Sequence, residues 1–201
     1  MRTNVKKIML TKTILFVCYL FSSICFAQTY TYDIFLVGSD VGDMTITRKI
    51  SGSKKTYNME SRTEVNYVID TRKDVFKSTV EFENNILVSS RMENKKNDKM
   101  NQYTYVTRGD GGYKVQTEKG LSTIAGNIVN AVYDIFFTEP KGGESFFVDR
   151  SAKFGAVSKV TDHSYKVEIK GDDDYTYNFV NGIMTKMEVP SFLGKVKMIM
   201  K

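Results

Sequence analysis

His163 is the only histidine in this 201-residue chain, so any triad or imidazole general base would have to use it. Its neighbour Asp162 is a poor orienting carboxylate, because adjacent residues point to opposite sides of a strand or around a turn. His163 therefore reads as a turn residue between Val160 and Tyr165. Glu81 and Glu83 would share one strand face about 7 Å apart, a spacing that suits an inverting glycosidase. Ordinary alternation against Phe76, Val80 and Phe82 explains them as well. Asp172-Asp173-Asp174 suggests calcium, but an EF-type loop begun at Asp172 needs Gly sixth and Glu twelfth, where Tyr177 and Ile183 stand. The triplet reads as a solvated hairpin turn. Gly38 to Gly42 and Gly109 to Gly112 lack the following helix and Lys-Ser/Thr pair of a phosphate loop, so they too are turns. With one histidine and no cysteine beyond residue 25, a nitrogen and sulfur zinc shell cannot be assembled. The expected catalytic, cofactor-binding and metal residues are therefore none, no cofactor is expected, and the chain reads as a non-enzyme.

The first 27 residues carry an address. Arg2, Lys6, Lys7 and Lys12 form a positive region, Ile14 to Phe21 an apolar one, and Cys25-Phe26-Ala27 a small-residue cleavage site before Gln28. Ser22 and Ser23 interrupt the apolar run, which falls short of the roughly 20 residues of a spanning helix. Acylation at Cys25 is not expected, since Ser22 and Ile24 occupy the positions where a lipoprotein signal wants an aliphatic and a small residue. The expectation is a cleaved signal peptide over 1–27 and a mature, soluble domain over 28–201, exported to the periplasm, the outer membrane or the exterior. Cleavage removes both cysteines, Cys18 and Cys25, and leaves 25 basic against 23 acidic residues. A nucleic-acid partner loses both its basic face and its compartment. The remaining 174 residues suffice for one domain with its own core.

Period-two alternation dominates residues 28–201. From Tyr57 to Ile69, Tyr57, Met59, Ser61, Thr63, Val65, Tyr67 and Ile69 alternate with Asn58, Glu60, Arg62, Glu64, Asn66 and Val68, the pattern of a long half-buried strand. Similar runs flank Asn84-Asn85, Gly109 to Gly112 and Asn181-Gly182, and predict a meander of hairpins. Leu121, Ile124, Ala125, Ile128, Val129, Val132, Ile135 and Phe136 recur instead at helical spacing, with Pro140 beyond, and predict one amphipathic helix over about 122–137. So wide an apolar stripe needs broad cover. The predicted fold is mainly β (α+β): a strongly curved antiparallel sheet or half-barrel of ten or more strands wrapped around that helix.

Tyr133 to Pro140, Phe146-Phe147 and Tyr175 to Gly182, in that order, resemble an uncharacterised family of exported β-rich proteins from Bacteroidota-type bacteria. The resemblance spans nearly all of the mature chain and implies a β-rich exported fold, with no established activity to carry over. The architecture is more loosely similar to periplasmic lipoprotein carriers, whose half-barrels hold acyl chains. Strand tyrosines such as Tyr30, Tyr32, Tyr57, Tyr103 and Tyr105 are expected to pack cross-strand pairs and the core, and otherwise to line a hydrophobic or glycan-binding surface. The leading expectation is a hydrophobic-ligand or lipid binding module of the envelope. A structural or protein-interaction component, with an envelope protein as partner, is the alternative, and a carbohydrate-active enzyme the least favoured.

Overall fold

The computed structural model describes residues 25–66, 70–191 and 194–201. These form fourteen strands in one antiparallel sheet. The first half is a meander of β1 (Cys25–Leu36), β2 (Ser39–Ser51), β3 (Lys54–Asn66), β4 (Thr71–Glu83), β5 (Ile86–Lys96), β6 (Lys99–Gly109), β7 (Gly112–Thr117) and β8 (Gly120–Ala125). The second comprises β9 (Ser145–Val148), β10 (Lys153–Thr161), β11 (Ser164–Ile169), β12 (Tyr175–Val180), β13 (Ile183–Ser191) and β14 (Gly194–Met200). Every strand pairs with its neighbours in sequence, except that β1 pairs with β14 and β8 does not pair with β9. The sheet is therefore open, with β8 and β9 as its edges.

Alternation sets the two faces. In β1 and β2 the residues Tyr32, Ile34, Met44 and Ile46 are buried while Thr31 and Asp43 face water. The sheet must curl steeply, because β6 and β9 lie eleven places apart in strand order, about 50 Å if flat. Yet Gln102 Nε2 and Thr104 Oγ1 of β6 donate to the Arg150 carbonyl just beyond β9, at 2.9 and 3.3 Å. Inward side chains from both meanders thus share one core. The outer face carries charge pairs such as Arg91 with Glu93 and Lys77 with Glu60, which contribute little to stability.

The expected helix over 122–137 is absent. Ser122, Thr123 and Ile124 pair with Val115, Lys114 and Tyr113 as part of β8. Gly126 then turns with φ +79°, a left-handed conformation that ends any regular run. What remains helical is a single turn of 3₁₀ helix, Val132–Phe136. Leu121 is 82% and Val129 52% exposed, so the apolar stripe does not face one way. Six β-branched residues, Thr123, Ile124, Ile128, Val129, Val132 and Ile135, weaken helix propensity here, as do Asn127 and Asn130, and the β7 ladder supplies a competing set of backbone bonds. The half-barrel accordingly wraps an irregular segment, 126–144, in place of a helix. The expected continuation of β3 through Tyr67 to Ile69, and residues 1–24 of the expected signal peptide over 1–27, lie outside the described residues. Cys25, Phe26 and Ala27 are exposed and extend β1 against Ser51, Ile50 and Lys49.

Candidate functional site

The segment between β8 and β9 fills one half of the trough and leaves the other hollow. Its path is fixed by backbone bonds to both walls. The Ile128 carbonyl accepts from Leu87 N–H of β5 at 2.9 Å, and the Asn130 carbonyl from Phe147 N–H of β9 at 3.0 Å. Ile128 N–H donates to the buried Tyr113 hydroxyl at 3.1 Å. The Asp134 carboxylate then takes the Ala131 N–H at 3.1 Å, the Lys55 ammonium at 2.8 Å and the Tyr57 hydroxyl. Around this anchor the aromatic rings close ranks: Tyr133 stacks on Tyr57 at 6.1 Å, and Phe136 meets Tyr32 and Tyr177 edge to face at 5.9 and 6.1 Å. Arg48 covers Phe137 at 4.5 Å. Burial pushes the hydroxyls of Tyr32, Tyr57, Tyr133 and Tyr177 above their ordinary range, so all four are neutral donors.

On the other side of the 3₁₀ helix lies a cavity of about 480 Å³. Its floor is Val132, Tyr133 and Phe136. One wall is apolar, built from Ile34 and Leu36 of β1, Met44 of β2, Met187 of β13, and Val196 and Met198 of β14. The wall from β3 to β5 is the more polar one, with Ser61 and Thr63 of β3, Arg72 and Asp74 of β4, and Asn94 of β5 interleaved with Met59, Val65 and Phe76. Arg150, Asp173, Tyr175, Pro190 and Ser191 complete the lining, and all but Tyr175 are exposed. Arg72 grips both oxygens of Asp74, its Nη2 donating at 3.1 Å and its Nε to the other oxygen.

Asp149 is the one buried carboxylate of the lining, 2% exposed. It receives the Ser78 hydroxyl at 2.6 Å, the Tyr133 hydroxyl at 2.7 Å and the Ser90 hydroxyl at 3.5 Å, all on Oδ2. Burial pushes its carboxyl above the usual range, while the Ser78 and Tyr133 bonds pull it back. This cluster ties the end of β9 to β4 and β5 across the trough. Hydroxyl groups, with the backbone N–H groups of Asp149 and Arg150, hold the carboxylate.

The residues first singled out for chemistry are not brought together. His163 sits at a turn with φ +60°, largely exposed, its Nδ1 3.0 Å from Glu139 Oε1. Glu81 and Glu83 lie on the outer face, where Glu81 accepts the Ser89 hydroxyl at 2.8 Å. Asp174 pairs with Lys166 at 2.8 Å, and Asp172 caps its own turn by accepting the Asp173 N–H at 2.9 Å. Among the described residues no group of three or more His, Cys, Asp or Glu could hold a metal. The polar wall escaped the sequence reading although its signal was present. The parity that turns Phe76, Val80 and Phe82 inward also turns Arg72, Asp74 and Ser78 inward, and polar residues on a core-facing register are the mark of a site. Asp149 and Arg150 gave no such signal, since they follow a four-residue strand.

No curated protein and no solved structure matches the chain significantly. Residues 32–201, which contain both walls of the cavity, its floor and the Asp149 cluster, match the family described as "Domain of unknown function (DUF6134)", and the chain belongs to that family.

Proposed function

We propose that this domain is a non-enzymatic module that binds a lipid or other hydrophobic small molecule in the cavity between the 3₁₀ helix and β1, β3, β4, β13 and β14. The observation that carries the reading is the cavity itself: a hollow of about 480 Å³ beside a packed core, lined by methionine, aromatic and aliphatic side chains, with a few polar groups gathered on the side of β3 to β5. A core of ordinary density leaves no such hollow. The leader over 1–27 supports an exported, envelope location. Native mass spectrometry of gently purified mature protein, followed by titration of an uncharged solvatochromic dye into delipidated protein, tests the binding. Saturable binding at micromolar protein is expected, and Ser61→Trp, which intrudes on the half-buried wall, should weaken it by at least tenfold. No bound lipid and no saturable dye binding would refute the reading. A protein-interaction component of the envelope is the second reading. It is favoured by β8, an edge strand without a charged residue that exposes Leu121.

A further inference from the structure

Resting on the binding reading above, we infer that the occupant is a single-chain amphiphile with an anionic head, a long-chain carboxylate, whose head meets Arg150 while its chain lies along the wall of β1, β13 and β14. Size supplies the first argument. A hollow of about 480 Å³ falls in the lower half of the range for small-molecule pockets, about 300–1,000 Å³. It takes one acyl chain and not the two of a phospholipid. The arrangement of the lining supplies the second. Leu36, Met187, Val196 and Met198 offer a continuous apolar surface with no hydrogen-bonding side chain, the surface an alkyl chain requires.

Charge decides the head group. Four ionisable side chains line the outer part of the cavity, and a fifth, Asp149, lies beneath. Arg72 and Asp74 face each other through two contacts, so neither offers a full charge to a ligand. Asp149 is enclosed by three hydroxyls. Asp173 stands on an exposed turn, where water screens it. Arg150 is different. Its carbonyl is tied to Gln102 and Thr104, which fixes the backbone, and its guanidinium lies against the Tyr175 hydroxyl, which burial raises and Arg150 pulls partly back. Among the described residues it has no ion pair. A guanidinium fork beside a neutral phenol presents several N–H donors and one O–H donor to a carboxylate, which accepts all of them without a desolvated remainder.

The experiment compares dodecanoate, dodecanol and dodecyltrimethylammonium below their micellar concentrations, by displacement of the uncharged dye from delipidated wild-type protein and from Arg150→Gln. Arg150 is exposed, so the variant keeps the wild-type melting temperature, which is checked first. Dodecanoate should bind wild type about fivefold more tightly than dodecanol, the gain of one charge-assisted contact at a partly screened rim. That ratio should fall close to one in Arg150→Gln, and should narrow in wild type at high salt. Equal affinities for the three probes, preference for the cation, or a carboxylate preference that survives Arg150→Gln would overturn the head-group assignment and leave the cavity reading standing. Tight binding of a two-chain phosphatidic acid would overturn the single-chain assignment. If the dye binds but none of the three probes displaces it, the amphiphile inference fails, whereas failure of the dye itself removes the binding reading.

Discussion

Replacing Tyr133 with Phe removes one oxygen from the centre of the domain and tests whether the Asp149 cluster fastens the open sheet. The ring stays, so its stack on Tyr57 survives and no cavity appears. What disappears is the 2.7 Å bond to a carboxylate that is 2% exposed. A hydrogen bond to a charged, buried group contributes about 1.5–3 kcal/mol, and Ser78 and Ser90 cannot replace the lost donor. For a domain of this size the expected drop in Tm is roughly 4–10 °C. Tyr105→Phe is the matched control. Its hydroxyl also donates to a carboxylate at 2.7 Å, that of Glu93, but on the half-exposed outer face, where the loss should stay below about 0.5 kcal/mol. The pH dependence sharpens the test. Burial raises the Asp149 carboxyl in the folded state, so the folded protein holds that proton more tightly than the unfolded chain. The stability this contributes is fully present below the ordinary aspartate value of 3.8 and is lost as pH rises through the raised one. Tyr133 stabilises the ionised form and limits that loss. Its removal should therefore cost more at pH 8 than at pH 4, measured by urea denaturation of the ligand-free protein. A penalty equal to that of Tyr105→Phe, or one that shrinks as pH rises, would refute the assignment.

Other expectations follow from single positions. Ile128→Asp places an unpaired charge at a fully buried point of the inner segment and should abolish cooperative unfolding, while Leu121→Asp, 82% exposed, should change stability by less than about 1 kcal/mol; circular dichroism melts distinguish them. Gly42→Ala should lower stability by about 2 kcal/mol or more, because its φ is +151° and an added Cβ would sit 1.9 Å from the Arg62 carbonyl oxygen; a denaturation midpoint within error of wild type would refute this. Intact mass of the protein from an envelope fraction should place the mature N-terminus at Gln28, which would shorten β1 by three exposed residues.

The strands were legible because one face of each is buried along most of its length. Tyr32, Ile34, Tyr57, Val80, Phe82, Tyr175 and Tyr177 all point inward, and side-chain parity reports that directly. Asn84-Asn85 and Asn181-Gly182 turn with positive φ where their sequences predict turns. The segment 121–136 misled for a physical reason. An irregular chain threaded through a trough buries residues wherever it touches a wall, and here contacts at Ile128, Val132, Ile135 and Phe136 happen to fall at helical intervals. Periodicity records which residues are buried and says nothing of the conformation that buries them. The cavity was harder still. Its polar wall is readable strand by strand, but the approach of Asp149 and Arg150 depends on how far the sheet curls, a property spread over many small twists.

The opening in the sheet also bears on how the chain finds its fold. A meander closed end to end would leave its seam at the two termini, but here β1 and β14 are zipped together and the seam falls between β8 and β9. Two hairpin ladders can thus each grow from their own tight turns, with short loops and rapid closure. The ladder that joins them brings Tyr32 to Met200, a closure costing roughly 3 kcal/mol more in chain entropy than a four-residue turn. On that ground it should form last among the pairings and limit the folding rate. The same arrangement brings the ends together, since Lys201 N–H donates to the Thr31 carbonyl at 3.0 Å and its ammonium meets Asp33 at 2.8 Å. Joining them by a short linker and reopening the chain at Lys141-Gly142, between the unpaired edges β8 and β9, would make every strand pairing local, so the permuted domain should refold faster than the natural chain.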